Sequence, residues 1–179
     1  CNKKIIAQLQ GFGTQSIGLT GADGNSIVSK KRENTAIDYG FVGDVVSVNS
    51  EWINNLLNTG VTPVFCAITH DKKGQLLNTN ADTIAQSLAV GLSSLFNISL
   101  IYCFEKQGVL MDIDDDNSVI EELTFSSYQT LKEQNIIHSG MLPKLENCFQ
   151  ALRQGVKEIK IASPELIANP KLPHTLISI

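Results

Sequence analysis

Hydrophobic and polar positions along the chain switch between helical and strand-like spacing, and each switch predicts an element. Lys3 to Gln10 sets Ile5, Ile6 and Leu9 at helical intervals and stops at Gly11. Ser16 to Leu19 reads as a short strand, and Gly21-Ala22-Asp23-Gly24 is turn chemistry. Ser26-Ile27-Val28-Ser29, the charged stretch Lys30 to Glu33, and Phe41 to Val48 predict a β-hairpin near residues 26–48. Ser50 can cap a helix with Trp52, Ile53, Leu56 and Leu57 on one face, ending near Gly60. Val64 to Ile68, entered at Pro63, then predicts a buried strand, and a strand between two helices predicts a parallel sheet.

His70-Asp71-Lys72-Lys73-Gly74-Gln75 reads as a polar turn in which His70 is a solvated loop residue. A helix follows with Ile84, Leu88, Leu92 and Leu95 at helical spacing, and Ser99 to Phe104 is the next strand. Glu105-Lys106-Gln107-Gly108 is a loop at that strand's carboxyl end, where open α/β sheets hold their ligands. Ser126 to Gln134 and Pro143 to Gln154 predict two more helices, the second stopped by Gly155, and Val156, Ile159 and Ile161 a further strand. The alternation of elements gives an α/β fold class.

Two apparent motifs fail. Gly11-Phe12-Gly13 has Ser16 where a dinucleotide loop needs its third glycine, and a helix instead of a strand precedes it. Asp112 to Asn117 resembles a calcium loop, but Asn117 replaces the required glycine and Leu123 the closing glutamate, so it reads as a solvated acidic loop.

Composition narrows the partners. With 179 residues, 42% hydrophobic and 18% charged, the chain suits one globular domain over residues 1–179 with a substantial core. A net charge of -4 argues against a nucleic acid or an anionic membrane surface, though a local site can still be positive. Cys1, Cys66, Cys103 and Cys148 lack the spacing of zinc ligands or a redox dithiol, so no metal set is expected. The most apolar region, Leu88 to Phe104, is interrupted by Gly91, Ser93, Ser94, Asn97 and Ser99, and no signal peptide opens the chain; a cytoplasmic location is expected. The first residue is Cys1 and the chain starts inside a predicted helix, so it reads as a fragment.

Candidate chemistry gathers at two helix starts. In Asn78-Thr79-Asn80-Ala81-Asp82, Asn80 serves as a cap and Asp82 complements the helix dipole, and on its own this stretch is equally explained by capping. In Gly140-Met141-Leu142-Pro143-Lys144, Lys144 is a cation in the first turn of its helix, which opposes the dipole by roughly a few tenths of a kcal/mol. An anion held between the two helix ends would account for it.

These stretches, with Gly18-Leu19, Asp23-Gly24, Gly40-Phe41-Val42-Gly43, Pro63-Val64, Gly74-Gln75 and Gly108-Val109, resemble the C-terminal two-thirds of acetylglutamate kinases, in the amino acid kinase family. The double-Asn motif ending in Asp82 is the most specific mark of that branch. The resemblance implies a three-layer αβα sandwich with a mainly parallel central sheet. It also implies transfer of the γ-phosphoryl of ATP, with Mg2+ carried by the nucleotide, to the side-chain carboxylate of N-acetylglutamate or a close N-acyl analogue in arginine and ornithine biosynthesis. Asn78 and Asn80 would contact the acylamino acid, Asp82 would orient catalytic lysines, and Lys144 would stabilise the moving phosphoryl. Glu105, Lys106, Gln107, Gly108, Val109 and Leu110, with Ile136, Ile137, His138 and Gly140, would hold the nucleotide. A homodimer is implied as well.

The chemistry agrees independently. A substrate carboxylate, with a pKa of about 4, is already a nucleophile, so the reaction needs cations and helix-terminal N–H groups in place of a general base. The resemblance also implies an absent N-terminal third carrying a first-strand lysine and Gly-rich turns, and no later arginine for the substrate carboxylate has a counterpart, so the chain alone is expected to be catalytically incomplete. Phe104-Glu105 replaces the family's usual Ser/Thr-Asp, and His174-Thr175 its usual Gly-Thr. Two alternatives stand beside the kinase: a non-catalytic nucleotide or amino-acid sensor of the same fold, and a sister kinase with another acceptor.

Overall fold

The computed structural model describes residues 2–33, 36–137 and 140–179. The chain divides into two compact units, the first ending at Leu95 and the second running from Phe96 to Ile179.

In the first unit, α1 (Asn2–Gly11) leads into β1 (Ser16–Leu19), β2 (Ile27–Lys31), β3 (Gly43–Val48), α2 (Ser50–Leu57), β4 (Thr62–Phe65), β5 (Ile68–His70), β6 (Leu76–Asn78) and α3 (Ala81–Leu92). Strands β1 and β4 pair in parallel from Ser16 opposite Thr62 to Leu19 opposite Phe65. A four-stranded sheet runs in the order β3-β2-β5-β6, and its β2/β3 pair is the expected hairpin.

The expected strand from Val64 to Ile68 is instead two strands in different sheets. The Cys66 N–H still donates to Leu19 O, extending the β1 pairing, whereas Ala67 O already accepts from Thr79 N, beside β6. Backbone hydrogen bonding therefore moves the chain from one sheet to the other at residues 66–67. Pro63 lies inside β4, tolerable because β4 has a hydrogen-bonded neighbour on one side only.

His70 is the second correction. It ends β5 and is buried, and the polar turn starts one residue later, where Asp71 Oδ1 accepts from the Lys73 and Gln75 N–H groups. The third concerns α2: Asn49, not Ser50, is its cap, with Oδ1 accepting from Trp52 N, while Ser50 Oγ donates to Gly91 O at 2.6 Å. Helix α3 starts as its sequence predicts. Asn80 Oδ1 accepts from Asp82 N at 2.8 Å and Thr83 N at 3.3 Å, satisfying two otherwise unpaired donors, and Ile84 and Ala89 are buried. Replacing Asn80 with alanine is expected to destabilise the protein by about 1 kcal/mol, read as a lower denaturation midpoint in urea.

In the second unit, β7 (Ser99–Cys103), β8 (Glu122–Thr124), α4 (Phe125–Glu133), α5 (Leu142–Arg153), β9 (Glu158–Ala162) and β10 (Thr175–Ser178) follow in order. The sheet order is β7-β9-β10-β8, parallel between β7 and β9 and between β10 and β8, antiparallel between β9 and β10. Thr124 caps α4 through a capping box with Ser127. Helix α5 buries Leu145, Cys148, Phe149, Ala151 and Leu152, which fixes which way its remaining face points. The fold class is α/β with parallel-rich sheets. No helix among the described residues is long and apolar enough to cross a membrane.

Candidate nucleotide and substrate site

Strands β7 and β9 run side by side with Cys103 opposite Ala162, so both carboxyl ends open on the same edge of the sheet. The loop after β7 and the segment after β9 enclose a cavity of about 870 Å3, within the usual size of a small-molecule site. Seven of the expected nucleotide residues line it: Glu105, Lys106, Gly108, Val109, Leu110, Ile136 and Ile137. Gln107 and Gly140 are not among its lining residues, and His138 lies outside the described residues.

The loop is held by Thr175. Val109 N donates to the buried Thr175 Oγ1 at 2.8 Å, and a Cβ on Gly108 would come within 2.6 Å of that same oxygen. Only glycine lets the loop approach β10 this closely. The threonine of His174-Thr175 thus anchors the loop from below.

The walls combine apolar and charged groups. Val109, Leu110, Ile113, Ile136, Ile137 and Met141 offer an apolar slot for a planar ring, and Glu105 and Glu165 bring carboxylate acceptors to it. Hydrogen bonds from Ser163 and from its own backbone N–H hold the Glu165 carboxyl below the usual carboxylate range, so it is an anion at neutral pH. Lys106 pairs with Asp116, and that hydrogen bond raises the lysine's pKa and ties the acidic loop to the cavity's rim.

Cys103, Ile113, Pro164 and Glu165 also line the cavity without having been expected there. Pro164 and Glu165 follow the carboxyl end of β9, and it is the pairing of β9 with β7 that brings them to this edge. Phe104, which departs from the family pattern, is a wall residue with a definite task. Lys144 Nζ stands 4.2 Å from the centroid of its ring, a cation–π distance. The cation in the first turn of α5 therefore meets the negative face of an aromatic ring, which offsets part of its conflict with the helix dipole. Helix α5 itself has no side-chain cap hydrogen bond, and Met141, its N-cap residue, lines the cavity.

Asn78, Asn80 and Asp82 lie along one short stretch of the first unit, from the end of β6 into α3. Asn78 ends β6 with its N–H donating to Phe41 O, Asn80 gives its side-chain oxygen to the cap, and Asp82 lies in the first turn of α3. Among the described residues no group of three His, Cys, Asp or Glu side chains is arranged to hold a metal ion.

A model of the amino acid kinase family matches residues 1–163, and the chain belongs to that family. Within it, the chain is 48% identical over 170 residues to the acetylglutamate kinase of Parabacteroides distasonis, covering 95% of this chain and 67% of that protein. It is 52% identical over 160 residues to the acetylglutamate kinase of Phocaeicola vulgatus, covering 89% and 62%. The chain thus spans about two thirds of the length of these relatives, which are kinases by name. Among solved structures, smu.665 from Streptococcus mutans superimposes with a TM-score of 0.79 at 27% identity, over 98% of this chain and 66% of that one. Giardia carbamate kinase shares the fold with a TM-score of 0.63 at 12% identity, over 98% and 66%.

Proposed function

We propose that the full-length protein is an ATP-dependent phosphotransferase that phosphorylates the side-chain carboxylate of N-acetylglutamate, or of a close N-acyl analogue, in arginine and ornithine biosynthesis. The observation that carries this reading is the cavity at the ends of β7 and β9, with the Glu105 to Leu110 loop on one side and Lys144 held against its Phe104 wall. The identity to acetylglutamate kinases supports the choice of acceptor.

In this reading the apolar slot takes the adenine ring. Lys144 meets the charge that spreads over the transferred oxygens, and backbone N–H groups at the start of α5 add to it. Asn78 contacts the acylamino acid, and Asp82 orients ammonium groups without acting as a base, because the acceptor is already ionised. Mg2+ arrives with the ATP as part of the substrate. The protein works as a homodimer in the cytoplasm.

The test is ATP consumption by the full-length protein with N-acetylglutamate, N-succinylglutamate, glutamate and carbamate. Turnover confined to the N-acylated acceptors is expected. Preference for glutamate or carbamate would make it a sister kinase, and nucleotide binding without turnover on any acceptor would make it a sensor.

A further inference from the structure

The acidic loop carries one large aliphatic side chain. Ile113 lies between Asp112 and Asp114, is 61% exposed, and lines the cavity beyond β7. An exposed aliphatic residue on an open surface needs no explanation, but this one forms part of a cavity wall. The chain around it is braced. Ile120 N donates to Val109 O and Met111 N to Ser118 O, each at 2.8 Å, and Leu110 pairs with Val119 between them in antiparallel register. Within the turn, Asp112 Oδ1 accepts from Asp114 N, Asp115 Oδ1 from Asn117 N, and Ser118 Oγ from Asp112 N. Residues 109–120 therefore form a short hairpin with Ile113 in its turn.

This hairpin is fastened at both ends. At its base Val109 N bonds Thr175 Oγ1, and Gly108 lies so close to the returning chain that a Cβ there would stand 2.8 Å from Val119 Cγ1. At its turn Asp116 takes the ammonium of Lys106, which comes from the loop after β7. A hairpin rooted only at its base is free to swing about it, and the ion pair fixes that angle. The same contact directs Lys106 toward carboxylates. Its hydrogen bond to Asp116 is the main reason that the lysine holds its proton more tightly than usual, and the charges of Asp116, Glu105 and Asp114 add to it. An ammonium so surrounded offers little net positive charge to a triphosphate.

Resting on the reading of this cavity as the ATP site, we infer that the 109–120 hairpin covers the nucleobase, with Ile113 packed against the ring and Lys106 and Asp116 as the positioning pair that holds the hairpin there. Lys106 acts through the hairpin and makes no contact with the phosphates. The bound base removes from water the aliphatic surface that the protein alone leaves exposed, which couples base affinity to the ion pair.

The experiment measures Kd for Mg-ATP by calorimetric titration of the full-length protein and its variants. Ile113→Ser is expected to raise Kd about fivefold or more while the melting temperature without ATP stays level, because the side chain is largely exposed until the base arrives. Lys106→Met and Asp116→Asn are each expected to raise it about two- to fivefold, the range of one exposed ion pair. The double variant should lose no more than the larger single, and the reversed pair Lys106→Asp with Asp116→Lys should recover part of the loss. A lysine that bound phosphate directly would give the opposite sign at Asp116, since Asp116→Asn would free its charge and lower Kd. That result, additive losses in the double variant, or an unchanged Kd for Ile113→Ser or for either charge variant overturns the inference. Ile136→Asp, which puts a charge into the apolar slot from outside the hairpin, is measured alongside. A raised Kd there with none for Ile113→Ser removes the inference alone. A normal Kd for Ile136→Asp, or a parent protein that binds no ATP, removes the underlying reading and this inference with it.

Discussion

Replacing Lys144 with alanine in the full-length protein is expected to lower kcat by about 10^3-fold or more while KM for ATP changes little. The side chain stands against Phe104 at a wall of the cavity, on a helix whose buried face is made by other residues, so its loss leaves the core intact. The first turn of α5 even gains a few tenths of a kcal/mol, because a cation leaves the positive end of the dipole. An ammonium that acts mainly as charge develops on the transferred oxygens contributes to the transition state and hardly to ground-state affinity, which places the effect in kcat. Lys144→Arg should restore only part of the rate, since a planar fork does not reproduce a compact point charge. Phe104→Leu should cost about two- to fivefold, the worth of one cation–π contact at a partly exposed site. Steady-state kinetics with a coupled ATP assay and a circular dichroism melt decide the matter. A Lys144→Ala enzyme within tenfold of the parent kcat ends the proposed role.

The largest loss of stability should come from Phe149→Ala, at about 3–5 kcal/mol. Phe149 is 1% exposed and is enclosed by Phe125, 5.2 Å away in an edge-to-face arrangement, and by Tyr128 at 5.1 Å. Truncation removes the transfer energy of the ring, the edge-to-face contact and the packing of three side chains that cannot all collapse inward. Their backbones are fixed by the capped start of α4 and by the buried row on α5. Phe149→Leu should lose much less, since most of the volume remains. Chemical denaturation followed by circular dichroism measures both. A Phe149→Ala loss below about 1 kcal/mol would mean that the aromatic cluster is not packed as described.

What the sequence showed and what it hid divide by range. The Asn80 cap and the stop at Gly155 were legible because each is decided by neighbours a few residues away. Gly155 takes a φ of 100°, which ends a helix whatever lies beyond. Strands β6, β8 and β10 were not, because three or four residues are too short to show a period, and their partners are distant in sequence. His70 was misplaced for the same reason: polar neighbours decide a turn locally, but pairing with Leu76 draws this residue into the sheet. At the candidate site, the loop after β7 could be read from its position. Glu165 could be placed only once β9 was known to lie beside β7, and the ring beneath Lys144 only once α5 was placed against the loop.

The position of β10 bears on how the second unit comes into being. This strand is the last of the described chain, yet it lies inside the sheet, between β9 and β8, and its first residue anchors the Gly108 loop. While the polypeptide is being synthesised, β8 has no strand partner until residues 175–178 emerge, so its edge stays open through most of the unit's synthesis, and the β10-facing edge of β9 stays open from its own emergence until then. The pocket proposed for the nucleotide is therefore shaped only after nearly all of this chain has left the ribosome. A ribosome stalled before Thr175 would display a unit unable to grip that ligand and prone to capture by chaperones.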